Sequence, residues 1–114
     1  MKARLFSALL LVVLVCSVAG AASVPSVTML STKSCPACAE MSKVLTQINS
    51  QYKGKISTAH VYLEDNPDIA KKYNVRYVPT LIFRDASGKT VAQEVGYRSV
   101  SEVIKVFQKA GVKI

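Results

Sequence analysis

Cys35 and Cys38 are separated only by Pro36 and Ala37, and they follow a short apolar stretch. If a helix begins at Pro36, this three-residue offset puts both sulfurs near one helix end. A disulfide then forms when the Cα atoms approach to roughly 4.4 to 6.8 Å. Such a pair opens and closes reversibly. The unpaired N–H groups and positive dipole end of a helix start stabilise a thiolate there, lowering its pKa from about 8.5. Cys35, the first and more exposed of the two, gains most, and Lys33 adds a modest effect in the same direction. Pro36 suits the first helical position, because its ring presets φ and its missing N–H would have been unpaired anyway. The competing reading is an inert structural disulfide, but closing so short a loop constrains the unfolded chain little and adds little stability.

The 114 residues suit one domain, yet 50% are apolar, more than a small globular domain needs. The excess lies at the N-terminus. Lys2 and Arg4 precede an apolar run from Leu5 to Val15, followed by Ser17, Ala19, Gly20, Ala21 and Ala22. This is the pattern of a secretory signal peptide, with Ala19-Gly20-Ala21 as a small-x-small cleavage site. Residues 1–22 are therefore expected to be a signal peptide, leaving a domain over residues 23–114. An uncleaved membrane anchor is the first alternative, although the run barely reaches the roughly 17 to 20 residues of a span. Lipidation at Cys16 is the second; Val13-Leu14-Val15 lacks the small residue that lipoprotein signals place directly before the cysteine.

Cleavage removes one of the three cysteines and leaves only the close pair. An exported chain with a single such pair meets an oxidising compartment, where a redox couple is the better reading than a reduced metal site. His60 is the only histidine and no second cysteine pair exists, so no metal is expected. Losing Lys2 and Arg4 takes the formal charge from +8 to +6. The lysines are scattered and no aromatic-interleaved basic patch occurs, which argues against nucleic acid. A membrane partner is expected only if the N-terminal segment stays attached.

The elements that must position the thiols follow in order. Val27-Thr28-Met29-Leu30 reads as a buried strand ending at Ser31-Thr32, and Ser34 can cap the helix beyond. From Pro36, Met41, Val44, Leu45, Ile48 and Tyr52 recur at helical spacing, and Gly54 ends the helix. Residues 56–63 form a second strand, in the order a parallel βαβ unit demands. Asn66 and Pro67 start a short helix with Ile69, Ala70 and Tyr73 inward, and Asn74 can turn left-handed at its end. Thr80–Arg84 and Lys89–Val95 form a hairpin across Asp85-Ala86-Ser87-Gly88. Ser99-x-x-Glu102 is a capping box opening a last helix that buries Val100, Val103, Ile104 and Phe107 before Gly111. The order β-α-β-α-β-β-α predicts an α/β domain, a four-stranded mixed sheet with helices on both faces.

With this topology and a CxxC opening the first helix, the chain resembles the thioredoxin family from Val27 to Ala110. Asn66-Pro67 through Tyr73, then Val75-Arg76-Tyr77-Val78-Pro79-Thr80, is similar to the family segment that ends in a cis-proline, and Gly96 falls where the family keeps a glycine facing the dithiol. The departures are equally specific. Ser34-Cys35-Pro36-Ala37-Cys38 replaces the usual Trp-Cys-Gly-Pro-Cys, the chain has no tryptophan, and proline directly after the first cysteine is more like glutaredoxins and periplasmic disulfide oxidases. Where thioredoxins bury an aspartate six residues before the first cysteine, this chain has Met29, and their partner lysine corresponds to His60. Losing that carboxylate removes a charge that would oppose thiolate formation.

The resemblance implies Cys35 as nucleophile and Cys38 as resolving thiol, exchanging through a mixed disulfide. It also implies Pro79 in cis, Val78 presenting backbone groups to an extended substrate, and Gly96 close to the dithiol. His60 is either a proton acceptor near Cys38 or, more simply, a partly exposed strand histidine. The expected function is an exported thiol-disulfide oxidoreductase of the periplasm or another extracytoplasmic space. It is expected to be a monomer without cofactor, acting on protein thiols and disulfides and served by a redox partner protein. A binding or assembly module with a vestigial dithiol is the alternative.

Overall fold

The first strand carries the chain to the dithiol, and the rest of the sheet is built around it. A computed structural model describes residues 23–114 of the chain. The expected signal peptide or anchor, with Cys16, lies outside the described residues. Strand β1 (Ser26–Ser31) is central, flanked by β2 (Ser57–Tyr62) on one side and by β3 (Thr80–Arg84) and β4 (Thr90–Val95) on the other, in the order β2-β1-β3-β4. β1 runs parallel to β2 and antiparallel to β3, and β3 and β4 are antiparallel. The parallel pair needs a crossover, which is helix α1 (Pro36–Gln51); helix α2 (Pro67–Lys72) links β2 to β3, and α3 (Val100–Lys109) closes the chain. Mixed sheet and element order are as expected.

Alternation along β1 decides the two faces. Val27 and Met29 face α1 and α3 and join Leu81, Phe83, Met41, Val44, Ile48, Val103 and Phe107 in one core, where the Phe83 and Phe107 rings meet edge-on at 5.1 Å. Thr28 and Leu30 face the other way with Ile82 and Arg84. There the Arg84 guanidinium donates to Thr28 Oγ1 at 3.1 Å and to the Tyr73 hydroxyl at the end of α2. Burial opposes ionisation of Tyr73, but the Arg84 hydrogen bond and charge, with Lys72, outweigh it and hold its pKa below 10.0.

The helix ends show where local sequence prevailed. Ser99 and Glu102 complete the capping box of α3, and Asn74 takes φ 49° after α2. Two expected caps differ. Asn66 occupies the N-cap of α2 without capping it; its amide donates instead to the Tyr62 carbonyl at 3.1 Å. Cys35, not Ser34, is the N-cap of α1, with extended backbone at φ −136° and ψ 100°. The inward side of α2 is only half-buried, because six residues on the sheet's flank cannot enclose it. Among the described residues no helix is long and apolar enough to cross a membrane.

Candidate functional site

Strand register gathers the site at one end of the sheet. Leu30 of β1 lies beside Thr80 of β3, and Thr80 lies beside Val95 of β4. The exit of β1 toward Cys35, the entry of β3 after Pro79 and the exit of β4 before Gly96 therefore share one edge. Ser31 pairs with Tyr62 there, bringing in the end of β2.

Cys35 and Cys38 are joined in a disulfide with Cα atoms 5.2 Å apart. As N-cap of α1, Cys35 places its Sγ where the Cys38 N–H donates to it at 3.1 Å. That N–H is one of the helix-start donors without an intrahelical partner, so a negative charge on Cys35 Sγ is stabilised by geometry already present. No acidic residue occupies the first turn of α1 to oppose it. Cys35 is half-buried, whereas Cys38 is 3% exposed and belongs to the apolar core with Met29 and Met41. The two sulfurs thus differ in access to solvent, Cys35 being the more open of the two.

The charge of Lys33 is less available than the sequence suggests. Its Nζ lies 3.2 Å from Asp65 and its backbone N–H donates to Glu64 at 2.8 Å. Two carboxylates from the loop after β2 offset this cation, leaving the helix start as the main source of positive potential at Cys35.

The Val78–Pro79 peptide bond is cis. Val78 packs, like Cys35, against the common core, and Pro79 is fully buried. The Pro79 carbonyl accepts from the Gly96 N–H at 2.8 Å, and the Thr80 hydroxyl donates to the Tyr77 carbonyl at 2.6 Å, tying this loop down from both sides. Gly96 has φ +94°, and a Cβ there would meet only Arg98 Nη1, at 3.7 Å. Backbone conformation, rather than crowding, requires glycine at that position. Tyr77 and Tyr97 beside these residues are 69% and 48% exposed.

On the α1 side of the sheet end, a groove of about 300 Å³ is lined by Cys35, Cys38, Lys33, Ser42, His60 and Tyr62 among others. His60, the lateral neighbour of Met29, hydrogen-bonds through Nε2 to the hydroxyl of Ser31, and its ring lies 4.5 Å from that of Tyr62. Ser31 is a site residue that sequence reasoning passed over as a strand end. Its signal was present in period-two alternation: Ser31, two residues beyond Met29, faces the same side as His60 once β1 and β2 are paired in parallel.

Residues 15–111 match the family model of the thioredoxin-like domain. The chain is 38% identical over 63 residues to thioredoxin C-2 of Corynebacterium nephridii, a match spanning 54% of this chain and 56% of that protein, less than two thirds of its length. It is 33% identical over 76 residues to a thioredoxin of Staphylococcus aureus, covering 66% of this chain and 71% of that one. The solution structure of a thioredoxin-like protein from Clostridium perfringens superposes with a TM-score of 0.70 at 31% identity, over 80% of this chain and 74% of that one. Four strands in the order β2-β1-β3-β4, a disulfide capping α1 and a match along most of the sequence agree with one another: the chain belongs to the thioredoxin-like family and carries the redox pair of a thiol-disulfide oxidoreductase.

Proposed function

We propose that this protein is exported and exchanges disulfides with cysteines of other envelope or secreted proteins. One observation carries the chemistry: two cysteines joined at the start of α1, with Cys35 accessible and Cys38 buried behind it. In the reducing direction the Cys35 thiolate attacks one sulfur of a substrate disulfide, and the other substrate sulfur leaves as a thiolate and is protonated. Cys38 then gives up its proton and attacks Cys35 Sγ. The intramolecular disulfide forms, the mixed disulfide breaks and the second substrate thiol is released. Oxidation of a substrate dithiol is the same sequence reversed.

Val78, Pro79 and Gly96 provide the substrate-facing edge, with Val78 offering backbone groups to an extended chain as an added strand would. The exposed rings of Tyr77 and Tyr97 favour a polypeptide over a small thiol, because they offer broad, rigid contact area. A redox partner protein, working on the same pair, resets the dithiol. Export is supported by Lys2, Arg4, the apolar run and Ala19-Gly20-Ala21.

Insulin reduction and oxidation of a model dithiol peptide test this reading, with Cys35→Ser and Cys38→Ser as controls. Wild type is expected to turn over, Cys35→Ser to be inactive, and Cys38→Ser to accumulate a mixed disulfide. Equal behaviour of all three would overturn the exchange reading in favour of a binding module. Intact mass of the exported product is expected to show a start near Ala22 or Ser23; a product that retains Met1 would refute cleavage.

A further inference from the structure

The buried resolving thiol needs somewhere to send its proton, and the usual acceptor of the resembling family is replaced by the fully buried thioether of Met29. Among the described residues that line the groove with Cys38, the ionisable side chains are Cys35, Lys33, His60 and Tyr62. An ammonium has no lone pair to accept a proton, and Lys33 is already paired with Asp65. A phenol offers a hydroxyl oxygen, a far weaker proton acceptor than an imidazole nitrogen. Cys35 is engaged in the mixed disulfide at the moment the proton must leave. The imidazole is the remaining base.

We propose that His60, positioned by Ser31, accepts the proton of Cys38 as that thiol attacks the mixed disulfide; this rests on the exchange reaction proposed above. For this step Nε2–H donates to Ser31 Oγ, which holds the ring on the sheet face that carries Met29 and leaves Nδ1 as the lone-pair nitrogen that accepts the proton. The Tyr62 ring packs against the imidazole at 4.5 Å and limits its rotation. No direct hydrogen bond joins His60 to either sulfur among the described residues, so the proton crosses the groove through solvent. The step balances: the Cys38 S–H proton goes to the imidazole, the Cys38 electron pair forms the bond to Cys35 Sγ, and the substrate sulfur leaves with the electrons of the broken bond. The imidazolium afterwards returns its proton to water or to the departing thiolate. His60 is a base reached across solvent, and Ser31 is a positioning residue.

Stopped-flow reaction of the reduced protein with an aromatic disulfide that releases a coloured thiolate separates the two steps. The first phase reports attack by Cys35, the second resolution by Cys38. In His60→Gln the first phase is expected to keep its rate. The second is expected to slow about 10- to 100-fold, at or below the low end of what a positioned base contributes. The pH dependence of the second-phase rate should differ between wild type and the variant, because the variant lacks the accepting base. Added imidazole should restore part of the second phase in His60→Ala, and Ser31→Ala should slow that phase alone, by less than His60→Gln. An unchanged second phase with the wild-type pH profile in His60→Gln overturns the proposal, as does slowing without change of profile and without rescue. Absence of a second phase in wild type would instead overturn the exchange reading beneath it. Far-ultraviolet circular dichroism checks folding of each variant; His60 is exposed on edge strand β2, where substitution is expected to be tolerated.

Discussion

Met29→Asp restores the side-chain type that thioredoxins bury beneath the dithiol, and the structure indicates that this chain has been built not to hold it. Met29 is 0% exposed and packs with Cys38, Leu81 and the inner face of α1. Truncating a buried methionine costs roughly 2–5 kcal/mol through lost transfer energy and the cavity left behind. A buried carboxyl without a partner adds about 1–3 kcal/mol. The sum, about 3–8 kcal/mol, approaches the ~5–15 kcal/mol that holds a domain of this kind together. At about 4–8 °C per kcal/mol, even the low end lowers Tm by ~12–24 °C. Urea unfolding of the oxidised protein measures this, with Met29→Leu as a control expected to lose less than about 1.5 kcal/mol. His60 is the lateral neighbour of position 29 and could turn to meet the new carboxyl, so the substitution is also made in a His60→Ala background. A loss below about 1 kcal/mol in both backgrounds would show that position 29 has a polar partner, and the account of an apolar floor beneath Cys38 would fail.

Phe107→Ala removes a fully buried ring that meets Phe83 edge-on, and it should cost about 3–5 kcal/mol in denaturant unfolding while exchange per folded molecule stays unchanged. A loss under about 1 kcal/mol would mean that α3 does not close the core as described. In the β3–β4 turn, the Ser87 hydroxyl above all, with the N–H groups of Lys89 and Ser87, holds the Asp85 carboxyl below its ordinary 3.8. The native value lies below the unfolded one, so the contribution to stability is complete above 3.8 and is lost as pH falls through the native value. Asp85→Asn should flatten that part of the acid dependence of the urea midpoint, and an unchanged profile would remove Asp85 from the turn's stabilisation.

What was legible in the residues is what short-range physics controls. The proline that starts α1, the spacing of Met41, Val44, Leu45 and Ile48, the capping box of α3 and the left-handed turn at Asn74 are settled within a few residues, so one sequence suffices to read them. Strand β3 falls over Thr80–Arg84 as expected, because a run of apolar residues bounded by Pro79 and Asp85 has few other places to go. The redox pair belongs to this class, since three-residue spacing at a helix start already brings two sulfurs within reach.

The sequence by itself therefore determined the elements, their order and the chemistry of Cys35 and Cys38. Tertiary structure decided what surrounds the pair. Cys35 rather than Ser34 caps α1, and the loop before it is held by Glu64 at the backbone of Lys33 and by Asp65 at its side chain, about thirty residues along the chain. The same contacts offset a lysine that local reading adds to the potential at Cys35. Ser31 meets His60 only because β1 and β2 pair in one parallel register, and a shift of one residue would turn His60 to the opposite face. Register is a property of two strands packed against α1, and neither strand carries it alone.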